Sequence, residues 1–300
     1  MYDLLTIGDI TLDLFFKGES LTEDKDRFAL AIGGKYRVED FYFSLGGCGA
    51  NVAVGTANIG LSTGIVSVIG DNPFKGIILQ KIISSQVSIR ELIYVRDFIN
   101  ISTVLIAKNG DRSIIHYVQD NLDAIPTTSF ISSINKTKFL YLGNLPHLKA
   151  KIKETILLQA KRSKITSFLT VGSNDCRNFR QDVLSLVELA DFFALNTHEF
   201  AELVQKKYSD IDFKQGFKML NTNRCRIIVT DGNRGSYLYY KGKSYFHPPA
   251  AIQKIIDTTG AGDAYLSGFI YGYFKTGNIE ISMSQATDYA GRVISKIGAQ

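Results

Sequence analysis

The sequence predicts an α/β fold: a mostly parallel central sheet flanked by helices, with a small antiparallel β-sheet lid. Short apolar segments rich in β-branched and aromatic residues recur along the chain as LLTIGDI, GIVSVIG, FLYLG, SFLTV, DFFALN, RIIVT and SYLYY. Amphipathic segments of helical length lie between many of them, at residues 51–60, 74–84, 149–164 and 213–220. Alternating strands and helices favour parallel pairing, and ligands in such folds usually lie beyond the carboxyl ends of the strands.

The composition is that of a globular chain large enough for one α/β domain over residues 1–300. Of the 300 residues, 45% are hydrophobic and 21% are charged, which argues against disorder. The first segment, MYDLLTIGDI, has no basic region before its apolar core, so it predicts a strand rather than a signal peptide. No apolar run approaches the roughly 18 residues of a membrane helix. We therefore expect a cytoplasmic protein without a membrane partner.

The charge pattern and the cysteines argue against two further classes. The formal net charge is +5, but the 34 basic residues form no dense block, which suits phosphorylated small molecules and does not indicate nucleic-acid binding. Cys48, Cys176 and Cys225 lie far apart and include no CxxC pair. They predict neither a disulfide framework nor a zinc cluster, and three buried or unreactive thiols are the simpler interpretation.

Two stretches, approximately residues 14–45 and 93–118, interrupt the alternation of strands and helices. The second contains two alternating runs joined by Asn109-Gly110, which is a strong hairpin signal. Together the two stretches predict the small antiparallel sheet. A sheet with one apolar face and no helices of its own must cover something, and the mouth of the active site is the economical candidate. A purely structural or dimer-forming sheet is the alternative.

The segment DTTGAGDAYLSGF, at 257–269, predicts an anion site at the start of a helix. Gly260 and Gly262 allow backbone N–H groups to converge without interference from a Cβ, and the pattern after Ala264 is helical. Orphan amides and the helix dipole both favour an anion there. Asp263 could be an ordinary first-turn acid. Beside an anion site, however, its carboxylate would repel phosphate unless it had a task, and accepting a proton from an attacking hydroxyl is the natural one.

Competing phosphate-binding motifs fail when their spacing is checked. The only Gly-Lys-Ser, at 242–244, has Tyr237 where a P-loop requires its first glycine. Neither Gly47-Cys-Gly49 nor Gly260-Ala-Gly262 continues to the third glycine of a dinucleotide fingerprint, since Val52 and Tyr265 stand there. A P-loop enzyme and a Rossmann dehydrogenase are therefore not indicated.

The motifs together resemble those of the PfkB family of carbohydrate kinases, which has the ribokinase-like fold. GGCGANVAVGTANIG at 46–60 and DTTGAGDAYLSGF are similar to the two signature segments of the family. GDITLD at 8–13, NTHE at 196–199, VTDGNRG at 229–235 and a terminal SKIGA occur in the family's order. The resemblance covers nearly the whole chain.

The resemblance implies that the γ-phosphoryl group of ATP is transferred to a hydroxyl, which we expect to be primary, of a sugar. It implies that Asp263 is the catalytic base and that Gly260, Ala261 and Gly262 form the anion hole. A nucleoside kinase of the same family is the nearest alternative. A non-catalytic sugar or nucleotide sensor on this fold is another, although a pure binding protein would have no use for the base.

The resemblance also implies sites for ATP and for metal ions. Asn196 and Glu199 match a motif that orders Mg²⁺ mostly through water, although such a pair is by itself typical of a helix N-cap with its capping acid. Thr230, Gly232 and Gly235 resemble the nucleotide-binding strand and turn. Asp257 and Thr259 match positions where several members bind K⁺.

On the acceptor side, the resemblance implies that Asp13 binds substrate hydroxyls, because an ionised acceptor makes strong hydrogen bonds. A turn-capping acid is the alternative reading of Asp13. Gly46, Gly47 and Asn51 match the first signature, and Asn144 lies where members place another polar residue facing the substrate. Cys48 stands where ribokinases usually have lysine, which argues against ribose as the acceptor. We therefore expect a small-molecule sugar acceptor, with the lid as a homodimer contact in the alternative reading.

Overall fold

A computed structural model of the protein describes residues 1–21, 23–24, 27–96, 98–107, 112–117, 125–145, 148–220, 224–252, 255 and 258–295. In chain order its strands are β1 (Tyr2–Ile7), β2 (Thr11–Lys17), β3 (Glu23–Asp24), β4 (Arg27–Phe28), β5 (Asp40–Gly46), β6 (Thr63–Val66), β7 (Val68–Asp71), β8 (Ile93–Arg96), β9 (Ile101–Ile106), β10 (Arg112–His116), β11 (Thr137–Leu142), β12 (Thr166–Leu169), β13 (Phe192–Asn196), β14 (Arg226–Thr230), β15 (Ser236–Tyr240) and β16 (Lys243–His247).

The helices in the described residues lie between these strands and after the last of them. They are α1 (Cys48–Asn58), α2 (Lys75–Ser84), α3 (Thr127–Ile131), α4 (Ala150–Arg162), α5 (Ser173–Asn178), α6 (Arg180–Val187), α7 (Thr197–Val204), α8 (Phe213–Leu220), α9 (Ala261–Thr276) and α10 (Ile279–Ile294). Of these helices, none is long and apolar enough to cross a membrane.

The central sheet has eight strands in the order β16-β15-β14-β13-β12-β11-β1-β6. All neighbours from β6 to β14 are parallel, while β15 and β16 form an antiparallel edge. The predicted mostly parallel sheet is thus confirmed. The carboxyl ends of its parallel strands meet along one edge, where a ligand site is expected.

Both faces of the central sheet are covered by helices. Its strands are apolar at consecutive positions, so both faces of the sheet are apolar and each must be buried against a helical layer. Leu4, Tyr141, Phe168 and Phe192 pack in one core cluster with residues of α1, α9 and α10. Their sequence neighbours, among them Leu5, pack in a second cluster with residues of α4, α6, α7 and α8. Alternate side chains therefore point to opposite helical layers.

A second sheet, which we call the small sheet, contains four strands in the order β10-β9-β2-β5. Its β2–β5 and β9–β10 pairings are antiparallel, as expected, and β2 and β9 pair in parallel where the two excursions from the core meet. The first excursion begins at Thr11, slightly before the expected residue 14, because β2 follows β1 after only residues 8–10. The Asn109-Gly110 hairpin turn lies outside the described residues.

Candidate active site

The start of α9 forms the floor of the candidate site. Gly260 precedes the helix with φ 70°, a left-handed conformation that favours glycine. The Ala264 N–H donates to the Gly260 carbonyl at 2.8 Å, and the Ala261 N–H donates to Thr258 at 3.3 Å. Gly262 faces open space, since a Cβ built there would have no heavy atom within 4 Å. The first turn of α9, whose amides have no acceptor within the helix, can therefore receive an anion.

Asp263 lies in this first turn and is held by Asn51 of α1. Asn51 Nδ2 donates to Asp263 Oδ2 at 2.9 Å across 212 residues of sequence. Burial raises the pKa of Asp263 to about 6; the Asn51 hydrogen bond lowers it and the nearby charge of Asp9 raises it further. The carboxylate is therefore ionised at neutral pH but basic enough to accept a proton.

A second, partly buried carboxylate, Asp9, supports the loop that carries the first signature. Its Oδ1 accepts hydrogen bonds from the backbone N–H of Cys48 at 2.9 Å and from the Cys48 Sγ at 3.0 Å. The Asn144 N–H in turn donates to Cys48 Sγ at 3.1 Å. Burial, with the charges of Asp9 and Asp263, raises the pKa of the Cys48 thiol well above its ordinary value. Cys48 is thus a neutral hydrogen-bonding group.

Sequence reasoning missed Asp9, although it stands inside the quoted GDITLD segment and directly follows a buried strand. All three cysteines are free; Cys176 and Cys225 are buried, whereas Cys48 is only partly buried. Within the described part of the chain, no cluster of three or more His, Cys, Asp or Glu side chains could hold a metal ion.

Asp13 lies on β2 and faces the first-signature loop. Its Oδ1 accepts a hydrogen bond from Thr11 Oγ1 at 2.9 Å. A Cβ at Gly46 would lie 2.0 Å from Asp13 Oδ2, and one at Gly47 would lie 2.6 Å from the Asp9 carbonyl oxygen, so this approach requires glycine at both positions. Burial raises the pKa of Asp13, and hydrogen bonds from Thr11 and Ser102 oppose the shift.

Asp13 belongs to a row of polar residues that crosses the small sheet. Ser44, Asp13, Ser102 and His116 occupy adjacent register positions on β5, β2, β9 and β10. Residues paired in this way share one face of a sheet, and Ser102 Oγ lies 2.8 Å from His116 Nδ1. The sequence contains no local motif for Ser102 or His116, because only the strand register brings them to Asp13.

Asn196 and Glu199 form a capping box at the start of α7, the structural alternative noted from the sequence. The Glu199 N–H donates to Asn196 Oδ1, and the Asn196 N–H donates to Glu199 Oε2, both at 2.9 Å. Ser173 Oγ also lies 3.4 Å from Glu199 Oε1. Burial raises the pKa of Glu199 to about 7. Both carboxylate oxygens already accept hydrogen bonds, so this pair fits a hydrated metal ion better than direct coordination.

Two adjoining cavities meet at the first turn of α9. The first, of about 260 Å³, is lined by polar groups that include Asn144, Asn196, Glu199 and Asp263. The second, of about 410 Å³, is lined mainly by apolar residues, among them Pro249, Ala250, Ile252, Ile255, Ala290 and Ile294, and also by Gly232 and Gly235. Thr230, Gly262 and Tyr265 line both cavities.

The apolar walls of the second cavity were not found from the sequence. They come from Pro249, Ala250, Ile252 and Ile255 and from α10, and single apolar side chains there give no signal different from that of a core. Thr259 lies beside Gly260 in the turn before α9. Asp257, its expected partner in a K⁺ site, lies outside the described residues, so that site remains a prediction.

An apolar cavity that joins a polar, carboxylate-bearing cavity at a helix N-terminus fits a phosphotransferase, which must hold a nucleotide beside an alcohol. The sequence model of the pfkB family of carbohydrate kinases matches residues 1–300. The chain belongs to this family, and it is a carbohydrate kinase by class.

Individual relatives agree with the family assignment. The ribokinase of Lactococcus lactis is 28% identical over 312 residues, which cover 100% of this chain and 93% of the relative. The fructokinase of Escherichia coli is 27% identical over 260 residues, which cover 82% of this chain and 83% of the relative. The solved Arabidopsis thaliana ribokinase, complexed with ribose and ATP, has a TM-score of 0.83 at 19% identity, covering 99% of this chain and 94% of that chain. This last likeness shows the ribokinase-like fold.

Proposed function

We propose that the protein transfers the γ-phosphoryl group of ATP to a primary hydroxyl of a neutral sugar. The observation that carries this proposal is the position of Asp263, whose carboxylate is held by Asn51 where the two cavities meet at Gly262. The apolar cavity suits the nucleoside part of ATP. The nucleotide would contact Thr230, Gly232 and Gly235, which line this cavity.

In the proposed reaction, the acceptor hydroxyl gives its proton to Asp263 as its oxygen attacks the γ-phosphorus. A new oxygen–phosphorus bond forms, the bond to the β,γ-bridging oxygen breaks, and the electron pair leaves with ADP. The turn at Gly260, Ala261 and Gly262 would stabilise the charge on the transferring group, mainly through the amides of Gly260 and Gly262, since the Ala261 N–H already donates to the Thr258 carbonyl. Asp263 is suited to this role because its pKa, raised to about 6 by burial, lies near neutral pH.

Mg²⁺ would be held near the phosphates by Asn196 and Glu199 through water. The side-chain oxygens of both residues already accept hydrogen bonds within the protein, which favours contact through water over direct coordination. When bound, it would neutralise phosphate charge. Asp257 and Thr259 are proposed for a K⁺ ion on the resemblance alone.

The acceptor is proposed to be a neutral sugar because its side of the site carries Asp9, Asp13 and Asp263. In their ionised forms these carboxylates would repel an anionic acceptor. Asp13 and Asn51 would bind its hydroxyls, with Gly46 and Gly47 allowing close approach. Asn144 lines the polar cavity together with Asp263. Such polar groups leave an unpaired partner when a hydroxyl is missing, so a polyhydroxylated sugar should be strongly preferred.

We propose further that residues 1–300 act as one cytoplasmic kinase domain, with no nucleic-acid or membrane partner. We also propose that the small sheet closes over the acceptor.

The face of the small sheet opposite Asp13 carries exposed apolar side chains, including Phe41 (55% exposed) and Ile115 (60% exposed). A second copy of the chain packed on this face would form a homodimer. Sedimentation equilibrium of Phe41→Asp against the unaltered protein would test that contact.

The function is tested by measuring ADP formation with ATP, Mg²⁺ and a panel of purified acceptors. The panel contains D-fructose, D-ribose, their deoxy analogues and several nucleosides, with product position determined by NMR. We expect turnover with a polyhydroxylated sugar and phosphate on its primary hydroxyl. Turnover restricted to nucleosides would replace the sugar assignment, and tight binding of ATP and sugar without any turnover would indicate a sensor.

A further inference from the structure

A serine and a histidine of the small sheet continue the hydrogen-bonding row that begins at Asp13. Ser102 on β9 pairs with Asp13 on β2 and with His116 on β10, the edge strand of the small sheet. Ser102 Oγ lies 2.8 Å from His116 Nδ1. Ser102 is buried, whereas His116 is exposed. The row thus leads from the interior of the small sheet to its open edge.

The direction of the hydrogen bonds along this row follows from the protons that each group carries. The Asp13 carboxylate accepts a hydrogen bond from Ser102, which uses the only hydroxyl proton of that serine. Ser102 Oγ therefore accepts from the Nδ1–H of His116, and in this neutral tautomer the other ring nitrogen, Nε2, is an acceptor. Within the described part of the chain, Nε2 has no hydrogen-bond partner. His116 thus presents a free hydrogen-bond acceptor.

The face of the small sheet that carries this row is turned toward the candidate active site. Side chains at even spacing share one face of a strand, so Arg112 points to the same side of β10 as His116. Arg112 Nη2 lies 3.0 Å from Thr258 Oγ1 in the turn before α9. Asp13, on the same face, approaches the first-signature loop at Gly46. The row therefore faces the space between the small sheet and the start of α9.

The next row on this face offers almost no hydrogen bonds. Its register positions are occupied by Tyr42, Phe15, Val104 and Ile114. The rings of Phe15 and Tyr42 stack with their centroids 4.6 Å apart. A polyhydroxylated ligand against this face would therefore place its hydroxyls along the row of Asp13 and His116, since buried polar groups of a ligand need partners.

We propose that His116 is a specificity-determining residue whose Nε2 accepts a hydrogen bond from a second hydroxyl of the acceptor, beyond the one bound by Asp13. The inference rests on the proposed kinase function and deepens it. It describes the acceptor as a sugar with two hydroxyls that both donate, placed away from the primary hydroxyl that reacts at Asp263. Ser102 is a positioning residue that fixes the imidazole tautomer. A contact remote from the reacting centre contributes equally to ground-state and transition-state binding, so its loss should raise the KM for the acceptor and leave kcat nearly unchanged.

The test uses two substitutions that retain different parts of the imidazole. The amide of His116→Asn can reach the position of Nδ1 and keep the contact with Ser102, whereas the longer amide of His116→Gln can reach the position of Nε2. We expect His116→Asn to raise the acceptor KM about 10- to 100-fold, with little change in kcat or in the KM for ATP. His116→Gln should recover part of this loss. Ser113→Ala, at an exposed position on the opposite face of β10, is the control and should resemble the unaltered protein.

Monodeoxy analogues of D-fructose and D-ribose identify the hydroxyl that His116 contacts. One analogue should be a poor acceptor for the unaltered protein and should lose little more in His116→Asn, because the contact is already absent. This analogue should lack a different hydroxyl from the one whose removal masks Asp13→Ala. Thermal melting shows that each variant is folded.

Three outcomes would overturn the inference. The first is additive losses from His116→Asn and from every monodeoxy analogue, which would show that His116 does not contact the acceptor and would leave the kinase proposal standing. The second is an equal rise of the acceptor KM in Ser113→Ala, which would assign the effect to a general disturbance of β10. The third is the absence of phosphoryl transfer by the unaltered protein to any acceptor, in which case the kinase proposal fails as well.

Discussion

Asn51 of α1 donates a hydrogen bond of 2.9 Å to Asp263 of α9, and this contact joins the two signature segments of the chain. The amide fixes the carboxylate without neutralising it, since asparagine carries no charge. One carboxylate oxygen is thereby oriented by the protein, and in the proposed mechanism the other would accept the proton of the acceptor hydroxyl. A base positioned in this way acts in the transition state rather than in binding.

Asp263→Asn should lower kcat by roughly 10²- to 10⁴-fold, because an amide cannot accept the acceptor proton. The dissociation constant of ATP should change little, and isothermal titration with ATP checks this. Coupled assays of ADP formation give kcat. Turnover close to that of the unaltered protein would remove Asp263 from the mechanism.

The pH dependence of kcat/KM should report the ionisation of Asp263. Its pKa is raised to about 6, so the active ionised form is lost as the pH falls through 6 and activity should fall about tenfold per unit below that point. Asn51→Ala removes a hydrogen bond that lowers this pKa, so the acidic limb should move to higher pH. A limb that stays in place in Asn51→Ala would contradict this assignment.

Gly262→Ala should fold normally but fail in phosphoryl transfer. Its Cβ would meet no protein atom within 4 Å and would instead project into the space where the two cavities join. We expect an unchanged melting temperature with kcat/KM for ATP reduced at least about tenfold, since one misplaced carbon disturbs the positioning of the reacting groups. Gly76→Ala is the matched control, because Gly76 also lies in a helix facing open space but outside both cavities.

Asp13→Ala should raise the KM for the sugar sharply and lower kcat/KM about 10²-fold. The change removes the carboxylate that is proposed to hydrogen-bond a sugar hydroxyl, so that hydroxyl is left without its partner. A deoxy analogue lacking the hydroxyl that Asp13 binds should be poor for the unaltered protein. It should suffer little further loss in Asp13→Ala. Additive losses from the two changes would show that Asp13 and that hydroxyl do not interact.

Binding of the acceptor should protect backbone amides of β5 and β9 from hydrogen exchange, if the small sheet closes over the sugar. The amides of α4, on the far face of the central sheet, serve as the internal control. Mass spectrometry with and without saturating sugar measures both. Equal exchange in the two states would leave the small sheet a structural or dimer-forming element.

Local patterns in the sequence predicted the central sheet, its helices and the pairing of a glycine turn with Asp263. They succeeded because strand and helix periodicity and the turn chemistry of Gly260 are properties of neighbouring residues. They could not place Ser102 or His116 beside Asp13. These side chains meet Asp13 only through long-range strand register, which no short segment specifies.

Asp13 and Asp263 lie on separate parts of the fold, and this separation affects how such an enzyme can change over evolutionary time. Asp13 belongs to the small sheet, whereas Asp263 belongs to a helix that is packed into the central core. Under the proposed mechanism, exchanges along β2, β5, β9 and β10 would alter which alcohol is accepted while the proposed phosphate-binding turn stays intact. New acceptor specificities are accessible to this architecture through substitutions in a few strands, without a new fold and without rebuilding the chemistry.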